Sequence, residues 1–242
     1  FNRMSKIRIF LNSELKKSSE ILLSKENSHY LKNVLRKKKG ENILCFNDIF
    51  GEWLAQIIDI DRLVKIKILT SLKKPNLVME NDIWICFGLI KPRNINFLVE
   101  KTSELGVTKL IPMETFFSER KKINIDRLNK ISIEAVEQSS GISIPEITKV
   151  KKLSEILFNW DKERSIVVCN EKKSCQNILK LFSGKNFKKI AIFIGPVAGW
   201  SSEDLKIFEN YDVIHISLGP RLLKADTAAV AALSCIKLFL EN

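Results

Sequence analysis

From residue 83 onward the sequence alternates between apolar runs and segments with helical periodicity, and this alternation limits the possible folds more than any other feature. The apolar runs are short and nearly unbroken, as expected of strands buried on both faces. Helices that connect parallel strands bury them in this way, which predicts an α/β domain. The predicted strands are Ile83–Ile90, Thr108–Met113, Ser165–Cys169, Lys189–Ile194 and Asp212–Leu218. The predicted helices are Asn94–Leu105, Ile125–Ser139, Leu153–Trp160, Ser174–Phe182, Ser201–Asn210 and Asp226–Leu240.

The first 72 residues have a different pattern, dominated by short β-type runs. Asp48 to Gly51 is a tight-turn sequence between two of these runs. One helix interrupts them, with Tyr30, Leu31, Val34 and Leu35 on a single face. The pattern predicts a small β-barrel or sandwich. A polar, proline-containing segment beginning at Leu72 breaks it, so we predict one domain over residues 1–72 and another over 73–242.

The charge of the chain favours a polyanionic partner. The formal net charge is +12, and half of it lies in residues 1–72. Nucleic acid is favoured over an anionic membrane surface, although lysine-rich solvated faces would give the same excess. The densest basic run, Arg36-Lys37-Lys38-Lys39, follows the predicted helix. It either complements the helix dipole or contacts phosphates.

Cysteine and histidine usage excludes several classes of protein. The five cysteines are an odd number without a C-x-x-C pair, and the two histidines are far apart, so we expect neither a disulfide framework nor a metal site. No apolar stretch approaches the roughly 18 residues of a membrane span, and the start lacks a secretory signal. We therefore expect a cytoplasmic protein with no membrane partner.

Two loops near the end of the chain share one pattern. An apolar strand ends in Gly195-Pro196, a second ends in Gly219-Pro220, and a helix follows each. Ligands of open α/β sheets bind outside the carboxyl ends of the strands, so the two loops are candidate walls of one pocket. Alternatively, Gly-Pro merely ends each strand. The Gly-rich signatures of dinucleotide and P-loop sites are missing.

The residues of these loops carry a family resemblance. Residues 194–201 (Ile-Gly-Pro-Val-Ala-Gly-Trp-Ser) and 218–229 (Leu-Gly-Pro-Arg-Leu-Leu-Lys-Ala-Asp-Thr-Ala-Ala) resemble the two C-terminal signatures of the RsmE family. This family methylates N3 of uridine in 16S ribosomal RNA. Two further regions agree in order and spacing, residues 100–107 followed by 118–120 and residues 134–139 followed by 145–147. The resemblance therefore covers essentially the whole chain.

The resemblance implies a PUA-like RNA-binding β-barrel followed by a SPOUT-type α/β domain whose C-terminal segment forms a trefoil knot. It further implies S-adenosylmethionine as the cofactor, 16S ribosomal RNA or the small ribosomal subunit as the partner, and a homodimer. The chain departs from the family at three places. Val197-Ala198 stands for Glu-Gly, Lys224 and Asp226 stand for Arg and Glu, and Gly141 and Ser143 stand for arginines. Loss of forked guanidinium groups weakens contacts to RNA.

Site residues follow from the resemblance and from the chemistry of methylating an imide nitrogen. A cation is needed beside the uracil oxygens, with Arg120 as the first candidate and Arg221 as the second. Asp226 or Glu137 could accept the proton, although Asp226 could equally cap the last helix. The expected cofactor-binding residues are Ile194, Gly195, Pro196, Gly199, Leu218, Gly219, Pro220, Leu222, Leu223 and Thr227. The expected RNA-binding residues are Arg36, Lys37, Lys38, Lys39, Gln138 and Lys224.

The function implied is S-adenosylmethionine-dependent methylation of uridine N3 in small-subunit ribosomal RNA. Two alternatives stay open at this point. One is another knotted RNA methyltransferase that acts on a ribose 2′-hydroxyl or a different base. The other is a non-catalytic RNA-binding protein that has lost the cofactor, which the change at Val197 and Ala198 suggests.

Overall fold

A computed structural model describes residues 7–75, 81–118, 122–170, 176–177 and 187–240. The chain divides into two compact units, and one of them is discontinuous in sequence. Phe1–Val78 and Val136–Ile144 form the first unit, and Met79–Ala135 and Pro145–Asn242 form the second. The sequence pattern gave no sign that residues 136–144 leave the α/β part of the chain.

The first unit is built on a curled five-stranded sheet, consistent with the expected barrel. Its strands, in the sheet order β1-β3-β4-β5-β2, are β1 (Arg8–Phe10), β3 (Asn42–Asn47), β4 (Gly51–Asp59), β5 (Lys65–Lys73) and β2 (Glu20–Leu22). The predicted turn is confirmed, because β3 and β4 pair antiparallel from Asn47 opposite Gly51. The β5 strand runs through Lys73 into the segment predicted as a linker.

A short helix, α1 (Lys25–His29), continues as a π-helical turn over Tyr30–Val34. Leu31 is buried in the core of the unit, as predicted, but Val34 is 59% exposed. The prediction that both lie on one face was wrong for Val34. A π-helical turn holds more residues than an α-helical one, so residues three apart no longer share a face.

The second unit contains the predicted parallel sheet. Every described strand pair in it is parallel, in the order β11-β13-β10-β12-β6-β7-β8, with β9 also paired to β7. The strands are β6 (Asp82–Gly88), β7 (Lys109–Glu114), β8 (Glu146–Ile147), β9 (Lys151–Lys152), β10 (Ser165–Cys169), β11 (Gln176–Asn177), β12 (Lys189–Ile194) and β13 (Val213–Ser217). The helices are α2 (Pro92–Glu104), α3 (Ile125–Gln138), α4 (Leu153–Leu157), α5 (Ser202–Phe208) and α6 (Ala225–Leu240), and α3 enters the first unit at Val136.

The helices cover both faces of this sheet. Alternate residues of β6 and β12 pack on one side against a cluster that includes α2, α3 and α6, and on the other side against α4 and α5. The predicted helix Ser174–Phe182 was wrong at Gln176–Asn177, which form β11, and its other residues lie outside the described ones. No described helix is both long enough and apolar enough to cross a bilayer.

Candidate functional site

A cavity of the second unit lies where three neighbouring parallel strands end. The sheet places β10 between β13 and β12, so the carboxyl ends of all three meet at one edge. The cavity has a volume of about 650 Å³. We call it the Gly-Pro cavity, because the loops after Gly195-Pro196 and Gly219-Pro220 form its walls. It is lined by Cys169, Asn170, Ile194 to Trp200, Leu205, Ser217 to Ala225 and Ala228.

Close backbone contacts and two hydrogen bonds fix the conformation of the first loop. A Cβ atom on Gly195 would lie 3.3 Å from the Trp200 ring, and one on Gly88 would lie 2.6 Å from the Pro196 nitrogen. Gly199 has a φ of +76° and donates its backbone N–H to the Pro196 carbonyl at 2.9 Å. Trp200 donates its ring N–H to the Cys169 carbonyl at 2.9 Å, which attaches the loop to the end of β10.

The helix after this loop begins with a reciprocal cap. The Ser201 hydroxyl accepts the Asp204 backbone N–H at 3.0 Å, and the Asp204 carboxylate accepts the Ser201 N–H at 3.2 Å. Asp204 is buried, and its carboxylate also accepts the backbone N–H of Phe116, 3.3 Å away, from the turn after β7. These bonds satisfy the amides at the start of α5 and fix the position of the loop in front of it.

The second loop is more exposed and carries the cations of the cavity. Gly219 has a φ of +117°, a backbone conformation open to glycine and strained for other residues. The segment from Gly219 to Leu222 is exposed, as is Lys224, whereas Ala225 at the start of α6 is buried. Arg221 and Lys224 thus border the cavity on its solvent side.

The structure brings together nearly all of the predicted cofactor-binding residues. All of them except Thr227 line the Gly-Pro cavity, and so do the predicted cation Arg221 and the predicted RNA contact Lys224. Asp226 and Thr227 lie in the first turn of α6, where the Asp226 carboxylate accepts the Thr227 N–H at 3.0 Å. They are not among the described residues that line the cavity. Arg120 lies outside the described residues.

Glu137 and Gln138 belong to the first unit. The Glu137 carboxylate accepts the backbone N–H of Phe10 at 2.8 Å, so this candidate base is bound to the edge of β1. Arg8 holds the same segment through the carbonyls of Val136, Ser139 and Gly141. Glu137 therefore has a structural partner in the small domain, while Gln138 is exposed.

The basic run after the first helix divides into paired and exposed side chains. Lys37 forms an ion pair at 2.8 Å with one carboxylate oxygen of Glu41. The other carboxylate oxygen of Glu41 accepts the Lys38 backbone N–H. These hydrogen bonds, together with the Lys37 charge, lower the pKa of Glu41 below its usual value. Arg36, Lys38 and Lys39 are exposed, and no carboxylate of the described residues pairs with them. Three of the four cations of this run are therefore free to contact phosphates.

Two cysteines are packing residues. Cys45 and Cys86 are fully buried, and their burial raises the pKa of both thiols, which keeps them protonated. Cys169, in contrast, lines the Gly-Pro cavity together with Asn170. Sequence reasoning missed both as site residues, because only the sheet order shows that β10 ends between the two loops. It also missed Trp200, although Trp200 directly follows Gly199 within the first signature.

Comparison with known proteins matches both parts of the chain to RNA methyltransferases. A family profile described as an RNA methyltransferase domain matches residues 78–237, and one described as an RNA methyltransferase PUA domain matches residues 23–69. A protein of Rickettsia conorii named Ribosomal RNA small subunit methyltransferase E is 34% identical over 96% of this chain and 95% of its own. A protein of Buchnera aphidicola with the same name is 31% identical over 95% and 92%.

Solved structures share the fold over the full length. A methyltransferase of Legionella pneumophila, determined with bound cofactor SAM, has a TM-score of 0.86 at 24% identity and covers 97% of this chain and 98% of its own. The Ribosomal RNA small subunit methyltransferase E of Neisseria gonorrhoeae, determined with S-adenosyl methionine, has a TM-score of 0.83 at 22% identity, covering 96% and 97%.

Proposed function

Because this chain belongs to the ribosomal RNA small subunit methyltransferase E family, we propose that it transfers a methyl group from S-adenosylmethionine to N3 of a uridine in 16S ribosomal RNA. The observation that carries the proposal is the Gly-Pro cavity, in which the family's two loop signatures meet at one sheet edge. Family membership supports an RNA methyltransferase, and the resemblance of the loops supports the uracil N3 position.

The cavity fits the proposed cofactor in size and in chemistry. Its volume of about 650 Å³ lies within the range of small-molecule sites. Ile194, Leu218 and Leu223 supply apolar contacts of the kind that adenine needs. Gly195 and Gly219 allow a ligand to approach the backbone closely. When bound here, S-adenosylmethionine would supply an electrophilic methyl group, and its sulfur would keep the electron pair of the broken S–CH3 bond and leave as the thioether.

The chain's own residues have three tasks in this reaction. They must hold uracil in line with the methyl group, accept the N3 proton as the new N–C bond forms, and stabilise the negative charge that spreads to O2 and O4. Positioning alone can supply roughly 7 to 11 kcal/mol of the barrier reduction. Arg221, at the cavity, and Arg120 are the proposed cations for the oxygens.

Asp226 is the better candidate for the proton acceptor. It follows the cavity-lining residues Lys224 and Ala225, and its carboxylate accepts only a local N–H among the hydrogen bonds described for it. Glu137 instead accepts the Phe10 backbone N–H within the first unit. Direct transfer and transfer through one water both suit a carboxylate in this place.

The remaining parts of the proposal concern partners and location. Arg36, Lys38 and Lys39 are proposed to contact RNA phosphates, because they are exposed cations without a carboxylate partner in the described chain. We propose that the protein works in the cytoplasm, where 16S ribosomal RNA is assembled into subunits, and that it forms a homodimer with a knotted second unit, as the family resemblance implies.

The test is methylation of small subunits taken from a strain that lacks this gene. Protein and labelled S-adenosylmethionine should label 16S ribosomal RNA and create one strong primer-extension stop at a uridine, since N3 methylation blocks base pairing. Label without a stop would replace the proposal by methylation at a position that leaves base pairing intact, such as a ribose 2′-hydroxyl. Calorimetry of cofactor binding runs in parallel, and cofactor binding without any label would contradict the proposed substrate.

A further inference from the structure

A second, smaller cavity of the second unit lies beside the end of β6. It has a volume of about 140 Å³, and we call it the β6 cavity. Its floor consists of the buried side chains of Leu89, Ile90, Ile95 and Leu128. Its rim is polar and is formed by Asn96, Lys122, Asn124 and Arg127, together with Pro92 and Ile123. No function assigned above uses this cavity.

The β6 cavity is the immediate neighbour of the Gly-Pro cavity. Strands β12 and β6 are paired up to Ile194 opposite Phe87. The segments that follow these two strands also stay in contact, since a Cβ on Gly88 would come within 2.6 Å of the Pro196 nitrogen. Pro196 lines the Gly-Pro cavity, and Leu89, one residue beyond Gly88, lines the β6 cavity. The linings of the two cavities are thus connected through the contact between Gly88 and Pro196.

The lining of the β6 cavity suits a planar, polar-edged ring. Aliphatic side chains form the floor, against which the faces of a ring can pack. The Asn96 carboxamide has no hydrogen-bond partner among the described residues, and it offers both a donor and an acceptor. Its N–H can donate to a carbonyl oxygen of uracil without occupying N3.

The charge around the β6 cavity is positive. Lys122 and Arg127 are exposed on its rim, and the lining contains no carboxylate. Asp126 is exposed in the same turn as Arg127 but does not line the cavity. Helix α2 begins beside the cavity at Pro92, and α3 begins at Ile125, where the Asn124 side chain accepts the Arg127 N–H at 3.0 Å. The positive ends of both helix dipoles add to the two cations.

From these observations we propose that the β6 cavity is the subsite for the target pyrimidine base. The Asn96 amide donates to one of its carbonyl oxygens, which leaves N3 free to face the methyl donor, and Lys122 and Arg127 face its oxygens or the adjoining phosphate. The proposal rests on the methyltransferase function, because it places the base next to the cavity that would hold the methyl donor. It identifies binding residues that neither Gly-Pro loop contains. A base that leaves its helix to react needs a pocket of this kind.

Asn96→Trp tests the proposal by filling the β6 cavity from its half-exposed rim. The single-turnover rate of methyl transfer to 16S ribosomal RNA should fall on the order of a hundredfold, because the base can no longer reach its position. The dissociation constant of S-adenosylmethionine, measured by calorimetry, should stay within about twofold of the original value, since the Gly-Pro cavity is unchanged. An unchanged transfer rate would overturn the proposal.

A second variant does not depend on how a large side chain is accommodated. Lys122→Ala/Arg127→Ala should also slow transfer without weakening cofactor binding. The control Lys149→Ala/Lys162→Ala removes the same charge from exposed positions of the same unit and should leave the rate unchanged. Equal losses in the two double variants would overturn the proposal, because they would reflect net charge alone.

A binding measurement separates this proposal from the proposed function. Uridine 5′-monophosphate at millimolar concentration should give saturation-transfer NMR signals with the original protein and lose them with Asn96→Trp. Binding that survives Asn96→Trp overturns the subsite even if methyl transfer occurs. Binding that is lost with Asn96→Trp supports the subsite even if no methyl transfer to ribosomal RNA is detected, in which case only the proposed function fails.

Discussion

Gly195 packs against the Trp200 ring in the first loop of the Gly-Pro cavity. An alanine Cβ would lie 3.3 Å from the Trp200 ring, so the ring would have to move by a few tenths of an ångström. We predict that Gly195→Ala weakens S-adenosylmethionine binding about tenfold, or ~1.4 kcal/mol, by shifting the loop that contacts the ligand. Calorimetry measures this change. Gly141→Ala is the matched control. Gly141 does not line the cavity, and a Cβ there would have no contact shorter than 3.4 Å.

Arg8 is the residue that holds the 136–144 segment in the first unit. Its guanidinium pairs with the Glu52 carboxylate at 2.6 Å and lies 4.2 Å from the centre of the Phe46 ring. It donates to the Val136 carbonyl at 2.6 Å and to the carbonyls of Ser139 and Gly141. The side chains of Arg8 and Glu52 are 9% and 6% exposed, so neither charge can be satisfied by water instead.

Removing this guanidinium should destabilise the folded state. We predict that Arg8→Ala lowers the free energy of unfolding by about 3 to 5 kcal/mol, because it leaves the Glu52 carboxylate buried without its main partner. Arg8→Lys should recover only a minor part, since an ammonium group cannot reach several carbonyls at once. Urea denaturation measures both. Exposed Arg62→Ala is the control, and a full recovery by Arg8→Lys would refute the role of the forked group.

At the scale of elements, α2 ends in a glycine-dependent cap. Gly106 has a φ of +76°, its N–H bonds to the Ser103 carbonyl, and the Val107 N–H bonds to the Thr102 carbonyl. We predict that Gly106→Ala lowers the free energy of unfolding by about 1 to 2 kcal/mol, because a Cβ strains the left-handed backbone. Gly106→Asn should lose less, since asparagine tolerates this conformation. Thermal denaturation measures both, and equal losses would argue against backbone strain.

An ion pair between a buried arginine and a partly exposed aspartate joins strands at the other end of the sheet. Arg164 pairs with the Asp82 carboxylate at the start of β6, donates to the Ile190 carbonyl of β12 at 3.4 Å, and lies 3.6 Å from the centre of the Trp84 ring. Burial alone would raise the pKa of Asp82. Hydrogen bonds from Arg164 and Thr108, with the charge of Arg164, outweigh burial and hold this pKa below its usual value.

The lowered pKa of Asp82 has a pH dependence with a defined sign. The ionised carboxylate stabilises the fold above the pKa of an unfolded aspartate, about 3.9, and this contribution is lost as the pH falls through the lower pKa of the folded state. We predict that Asp82→Asn lowers the free energy of unfolding by about 2 kcal/mol at pH 7. This loss is smaller than that expected for a fully buried ion pair, because Asp82 is partly exposed. The difference from the original protein should disappear in acid. Urea midpoints across pH measure this, with exposed Asp212→Asn as the control.

At the scale of the whole molecule, the proposed homodimer needs an apolar surface. Helices α2 and α6 pack against each other, and Phe97 and Leu238 on them are 44% and 63% exposed. We predict that the protein has the mass of a dimer by light scattering, and that Phe97→Ser/Leu238→Ser shifts it to a monomer because the interface loses apolar area. Phe158→Ser is the control, at a side chain 74% exposed after α4. A monomeric original protein would refute the prediction.

Local patterns in the sequence determined most of the elements and the ligand loops. Strand β12 was predicted to the residue, and the turn between β3 and β4 was predicted from Asp48 and Gly51. The two Gly-Pro loops were recognised because the order of strand, Gly-Pro and helix is local. Such features depend on the alternation of side chains and on the conformations that glycine and proline allow, and both can be read over a few residues.

Only the tertiary structure decided which of these elements meet. β10 separates β12 from β13, so Cys169 and Asn170 enter the Gly-Pro cavity, and the Gly88–Pro196 contact makes the β6 cavity its neighbour. Residues 136–144 join the first unit, where Glu137 binds the Phe10 N–H, because Arg8 is there to bind their carbonyls. Strand order, and contacts between residues more than a hundred positions apart, depend on how whole strands and helices pack against each other. Periodicity along the chain does not predict that packing.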